Sequence, residues 1–198
     1  MLLALLLALV FNLQAQEIDP QLYQKTWIEK ESRLFNGYSI TKEFGHNPHW
    51  PSAYNVLPIT AISYKSMEVL KKELKEKAGE EKWPEKELTD ALRDLEFSSR
   101  GGEMQIYISR YDENEANFRW FFVILRGQED KGKLWEHEIG YQAPEVPYER
   151  GWWNYITVPI PIELELPFFI YFNDKHSKYL SDFKFRVENA SSNTAGIK

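Results

Sequence analysis

Phe118-Arg119-Trp120-Phe121-Phe122-Val123-Ile124-Leu125-Arg126 is the stretch on which the fold turns. Read as a strand, it places Phe118, Trp120, Phe122 and Ile124 on one side, and Phe121, Val123 and Leu125 on the other with Arg119. Apolar residues on both sides call for cover on both faces. Residues 183–188 make the contrast. There Phe183, Phe185 and Val187 share one side while Lys184, Arg186 and Glu188 share the other, the pattern of a strand with one wet face.

Outward from these two runs, the C-terminal half reads as β throughout. Six strands are predicted, over residues 104–109, 118–126, 134–141, 152–158, 168–172 and 182–187. Turn-forming clusters at 99–102, 112–115, 127–132 and 173–177 separate them. Pro159, Pro161 and Pro167 bar residues 159–167 from a central strand, because each removes a ladder donor.

Residues 63–100 carry a helical period instead. Ser66 is placed to cap a helix whose apolar face is Met67, Leu70, Leu74 and Ala78, with Gly79 as its stop. Glu68–Lys72 and Glu73–Lys77 sit at i,i+4 in the favourable orientation. Pro84 opens a second helix, with Glu85 and Glu87 against its positive end and Leu88, Leu92 and Leu95 at helical spacing. Nine Lys/Arg against ten Asp/Glu in this zone indicate solvated outer faces rather than an interaction tail.

Residues 16–62 offer two readings. Asp19-Pro20 looks like the start of a helix with Tyr23 and Trp27 on one face, ending before Asn36-Gly37 and followed by a strand through Tyr38 and Ile40. The competing reading puts a strand at 26–28 and a hairpin at Asn36-Gly37. We favour the helix. The expected fold is α+β: an N-terminal helical hairpin packed on a C-terminal antiparallel β-sandwich or curled sheet of about six strands. Residues 16–188 form one domain, with 16–100 as cap and hairpin and 101–188 as sheet, and 189–198 form a disordered tail.

Residues 1–15 predict an export signal. The apolar run from Leu2 to Phe11 is too short to cross a bilayer of about 20 helical residues, and Ala15 stands at the expected cleavage point. The mature chain is therefore expected to be secreted or periplasmic, with no membrane insertion after cleavage. The 198 residues include no cysteine, which excludes disulfides, thiolate zinc sites, iron–sulfur clusters and cysteine nucleophiles. A net charge of −6 argues against nucleic acid as a partner.

The strongest candidate site is aromatic: Trp152, Trp153, Asn154 and Tyr155 on one predicted strand, with Trp135 on the preceding one. Neighbouring residues of a strand point to opposite faces, so Trp152 and Trp153 cannot both enter a one-sided core. A displayed ring beside a hydrogen-bonding amide suits stacking on a sugar face. His46 and His49 are a candidate metal pair, although Pro48 excludes a helical arrangement and a third ligand would have to come from His137, His176 or Asp174. Glu136 and Glu138 flank His137 on one strand face at roughly 6.5–7 Å by strand geometry, within the range glycosidases use, but the pattern fits a solvent-facing stripe better. Asp174-Lys175-His176-Ser177 fits a hairpin turn better than a catalytic triad.

No nucleophile elbow, phosphate loop or dinucleotide fingerprint occurs, and no cofactor is indicated. The expectation is an exported, non-enzymatic domain that binds a glycan or a peptide by aromatic stacking. The alternative is a secreted hydrolase assisted by a metal at His46 and His49. A third reading, an envelope-assembly component, would oligomerise through an exposed edge strand at 182–187.

Overall fold

Turn chemistry decides the N-terminal part. Asn36 and Gly37 both adopt positive φ, 49° and 82°, the requirement of the two-residue hairpin turn that asparagine–glycine serves best. They join β1 (Glu31–Phe35) to β2 (Tyr38–Phe44), with Phe35 opposite Tyr38 and Glu31 opposite Lys42. A strand therefore stands at Glu31–Phe35 where a helix was favoured, and the hairpin reading of the turn is the one that holds. The computed structural model describes residues 31–44, 59–148, 151–175 and 183–190. Residues 1–15, for which an export signal is predicted, residues 16–30, the histidines His46, His49 and His176, and residues 191–198 lie outside the described residues.

β3 (Ile59–Lys65) leads into α1 (Met67–Glu80) and α2 (Glu85–Ser98), and β4 (Glu103–Arg110) returns beside β3 with Lys65 opposite Glu103. The helix pair is thus an excursion from a β-hairpin. Ser66 caps α1 as expected, its hydroxyl accepting from the Val69 N–H at 3.4 Å. The stop comes slightly later than Gly79. Lys82 takes the left-handed conformation, φ 55°, and the Trp83 N–H reaches back to the Ala78 carbonyl at 2.9 Å, which closes the helix end. Glu73 pairs with Lys65 at 2.8 Å rather than with Lys77, whose ammonium lies over the Trp83 ring. Gly101 and Gly102 bring the chain back, and a β-carbon on them would meet the Ile162 and Lys65 carbonyl oxygens at 2.2 Å. Only glycine fits there.

The remaining strands are β5 (Phe121–Arg126), β6 (Lys133–Glu138), β7 (Glu145–Tyr148), β8 (Gly151–Pro159), β9 (Phe168–Asp174) and β10 (Phe183–Asn189). They form two antiparallel sheets, a six-stranded one in the order β1-β2-β10-β9-β5-β6 and a four-stranded one in the order β3-β4-β8-β7. One core lies between them. Ile62, Tyr64, Met104, Ile106, Ile108 and Val158 enter it from the smaller sheet, and Ile40, Val123, Leu125, Ile170, Phe172, Phe185 and Val187 from the larger. Each fully buried large side chain contributes roughly 1.5–3 kcal/mol relative to exposure, so this shared layer is the dominant favourable term in holding the sheets together.

Four details depart from expectation. Phe118–Trp120 is a short 3-10 turn rather than the start of the strand, capped by the Asn117 side chain, which accepts from the Arg119 N–H at 3.1 Å. The turn keeps Phe118 in the core against Phe121 and Phe172. β5 itself buries Phe121, Val123 and Leu125, whereas Phe122 and Ile124 on its other side are only half-buried. β10 carries the expected alternation, but it lies between β2 and β9 and is not an edge. Its ladder extends through Asn189, so that residue belongs to the sheet rather than to a tail.

The two ends of the sandwich differ. Arg110 at the end of β4 lies over the Phe121 and Phe183 rings, so the ends of β2, β4 and β9 and the starts of β3, β5, β8 and β10 gather at one end. The helix pair and the β1–β2 turn lie at the other, where Tyr38, Tyr64 and Phe168 meet edge to face at 5.0 and 5.1 Å.

Candidate functional site

Strand registers sort the aromatic candidates onto different surfaces. On β8, Asn154, Ile156 and Val158 follow the inward phase, and Trp153, Tyr155 and Thr157 point away from the core. Trp153 and Tyr155 therefore share the outer face of the four-stranded sheet. Asn154 lies 1% exposed beneath them. Its amide nitrogen donates to the Ala116 and Gln142 carbonyls at 3.0 and 2.9 Å, and its oxygen accepts from the Tyr155 N–H at 2.9 Å. Both amide protons and the oxygen are engaged within the fold, so it acts as a clamp between segments. Trp152 follows the inward phase at the strand's start, opposite Arg110. Trp135 lies on β6 of the other sheet, on the core side with Leu125, and stacks on His137 at 5.2 Å. Only two of the five sequence candidates share the outer face.

The smaller sheet supplies the other side chains of that face. Tyr107 of β4 lies directly opposite Tyr155 and stacks with Trp153, the ring centroids 6.2 Å apart and 24° from parallel. Ala61, Ser63 and Gln105 continue the surface, with the Ser63 hydroxyl donating to the Gln105 side-chain oxygen at 3.1 Å. The centre of the face is thus three aromatic rings among hydroxyl and amide groups, with Glu145 of the edge strand β7 in register beside Trp153. Tyr155 is 41% exposed; Trp153, Tyr107, Ser63 and Gln105 are half-buried. Tyr107, Gln105 and Ser63 escaped sequence reading because they lie on strands remote from Trp153 in the chain. The alternation of β4 carried the signal, as it sets Tyr107 opposite in phase to Ile106 and Ile108.

Further charge lies at the helix end of the face. Burial pushes the Glu103 carboxyl above the usual range, with Lys65 opposing that shift. Lys65, held by its hydrogen bond to Glu73, is itself shifted upward. The outer face of the larger sheet is different in kind. Arg126 lies over the Tyr171 ring at 4.6 Å, Lys184 pairs with Asp130 at 2.8 Å and Arg186 with Glu188 at 3.0 Å. Glu136 and Glu138 also point out there, paired with Lys133 and Lys175, which makes them the solvated stripe that was the more economical reading.

A second cluster lies at the opposite end of the sandwich. Arg110 is 6% exposed, donates to the Ser109 carbonyl and the Thr60 hydroxyl at 2.9 Å each, and rests on Phe121 and Phe183. Burial lowers its pKa to about 10 although Asp174 and Glu115 act the other way, so it remains a cation near neutral pH. It joins the two sheets. Asp174 lies inside β9 rather than in a turn. Among the described residues no group of three or more His, Asp or Glu could hold a metal; the proposed pair His46 and His49 lies outside them. No helix among the described residues is long and apolar enough to cross a membrane.

No family model, no curated protein and no solved structure matches this chain.

Proposed function

We propose that this chain is an exported, non-enzymatic binding domain whose ligand, an uncharged glycan chain, lies across the outer face of the four-stranded sheet. The observation that carries the reading is the composition of that face. Tyr107, Trp153 and Tyr155 occupy the centre with Ser63 and Gln105 beside them, and the charged side chains Glu145, Lys65 and Glu103 stand at its margins. Aromatic rings offer area for the C–H faces of sugars, and neutral hydroxyl and amide groups exchange hydrogen bonds with sugar hydroxyls without stripping water from an ion. A peptide would also need a partner for its backbone, which a sheet face does not supply.

Titration of the full chain with neutral chito-, cello- and malto-oligosaccharides, followed by tryptophan fluorescence, tests the reading. Trp153→Ala and Tyr155→Ala are each expected to weaken binding by about tenfold or more, with the melting temperature little changed. The affinity should be insensitive to salt, because no ion pair forms. A panel without a fluorescence change, or variants that bind as the parent does, would remove the proposal.

A further inference from the structure

The helix pair is tied across its outside and open along its inside. Lys71 of α1 bridges Glu96 of α2 at 2.6 Å, yet α1 buries only Leu70 and Ala78, and α2 buries nothing. Between the two helices runs a groove of about 650 Å³. Leu70 and Leu74 of α1 and Ala91, Leu95 and Phe97 of α2 give it an apolar lining, and Glu103 of β4 stands where it meets the sheet. The lining is open to solvent. Phe97 is 81% exposed, and Leu74, Ala91 and Leu95 are half-buried. Sites for small ligands have volumes of about 300–1,000 Å³ and are mostly apolar, with a few placed polar groups.

The carboxylates of the lining differ in what holds them. Glu73 pairs with Lys65 at 2.8 Å, and Asp94 faces Arg93 at 3.9 Å. Glu103 has no ion pair among the described residues. Lys65 is its ladder partner, but that ammonium goes to Glu73. The Glu103 carboxylate accepts one hydrogen bond, from the Gln105 amide at 3.4 Å. Half-buried and short of solvation, it holds its proton above the usual carboxylate range. Lys77, the one cation of the lining among the described residues, lies over the Trp83 ring. The groove therefore joins apolar area to a carboxylate without a counter-charge.

We propose that this groove binds a small amphiphilic amine, its hydrocarbon between α1 and α2 and its ammonium on the Glu103 carboxylate. The apolar lining supplies affinity, and the carboxylate selects the sign of the head group. A fatty acid would set its own carboxylate against Glu73, Asp94 and Glu103. A helix of another protein does not fit either. Such a helix anchors at i, i+3 or i+4, and i+7, whereas Leu70–Leu74 and Ala91–Leu95 each offer a single turn, about 6 Å of length. This ligand is separate from the glycan assigned to the neighbouring sheet face, and neither proposal depends on the other.

Methyl-resolved NMR of the full chain, titrated with n-octylammonium, n-octanol and n-octanoate below their micelle concentrations, tests the proposal. Octylammonium is expected to bind saturably and to shift the methyls of Leu70, Leu74, Ala91 and Leu95. It should bind about tenfold or more tighter than octanol, and octanoate should bind more weakly than octanol. Glu103→Gln should bring octylammonium down to the octanol affinity and leave octanol unchanged. The ranking of the three ligands on the parent chain is decisive by itself, whatever the variant does to folding. Equal affinities, shifts located in the sheets instead of the helix pair, or a Glu103→Gln chain that still prefers the amine would each overturn the proposal.

Discussion

Asn154 and Tyr155 are adjacent in sequence and opposite in role. Tyr155 is open to solvent, while Asn154 ties β8 to the Ala116 and Gln142 carbonyls. Replacing Asn154 with alanine leaves those buried acceptors unmet, and an unmet buried group costs about 1–3 kcal/mol. Chemical denaturation of Asn154→Ala is expected to show a loss of that order, in contrast to Trp153→Ala. Glu103 gives a second test at this scale. Its carboxyl is shifted upward mainly by burial, so the folded protein holds that proton more tightly than the unfolded chain does. The stability linked to it is full below the unfolded value, near 4.3, and is lost as pH rises through the folded value. Glu103→Gln should therefore gain in melting temperature relative to the parent between pH 4 and pH 7. A relative loss over that interval would contradict the burial assignment. The sequence announced that the aromatic stretch mattered, yet not which ring faces where. Phase on a single strand separates neighbours, but only the registers with β4 and β5 tell that Trp153 meets Tyr107 and that Trp135 faces the core of another sheet.

Among the elements, the helices read most clearly from sequence and contribute least to the core. Ser66, Pro84 and the leucine spacing defined α1 and α2 through local chemistry, which is why both were legible. α2 nevertheless has no buried residue, and Phe97 at its end is 81% exposed. Few buried contacts mean a low cost of local opening. Amide exchange across Glu85–Ser98 is expected to be faster than in β4, β8 and β9 under native conditions. Equal protection would show that the helix opens only with the whole molecule. β3 was missed for the converse reason. Thr60 occupies an inward position and interrupts the apolar alternation that marks a strand, and its identity comes from pairing with β4, far along the chain. Asn36-Gly37 was legible as a turn, and the two competing neighbours were separated only by the pairing of β1 with β2.

For the whole molecule, the class α+β and the sandwich followed from strands whose apolar faces had to be covered, and the structure supplies that cover with a second sheet. The partition of strands between sheets was not legible, since β2 joins β10, and β5 joins β9, across long separations in the chain. One consequence can be measured. Lys65 and Glu103 are direct partners in a ladder, so the helix pair interrupts a connection that a tight turn could make. Replacing residues 67–98 with a short asparagine–glycine turn is expected to leave a β-type circular dichroism spectrum and a cooperative melt, at reduced stability from the loss of Leu70 and Ala78. Loss of cooperative melting would show that the helices are needed for the sheets to assemble.

The glycine pair at 101 and 102 has an evolutionary reach. Carbonyl oxygens stand 2.2 Å from where a methyl group would be on either residue, so descendants of this chain are barred from changing them while the solvent-facing surface of α2 drifts freely. Two consecutive glycines just after a charged amphipathic helix and just before an alternating apolar strand, with an asparagine–glycine dipeptide some sixty positions upstream, form a fingerprint by which distant kin of this lineage would be recognised after overall similarity has faded.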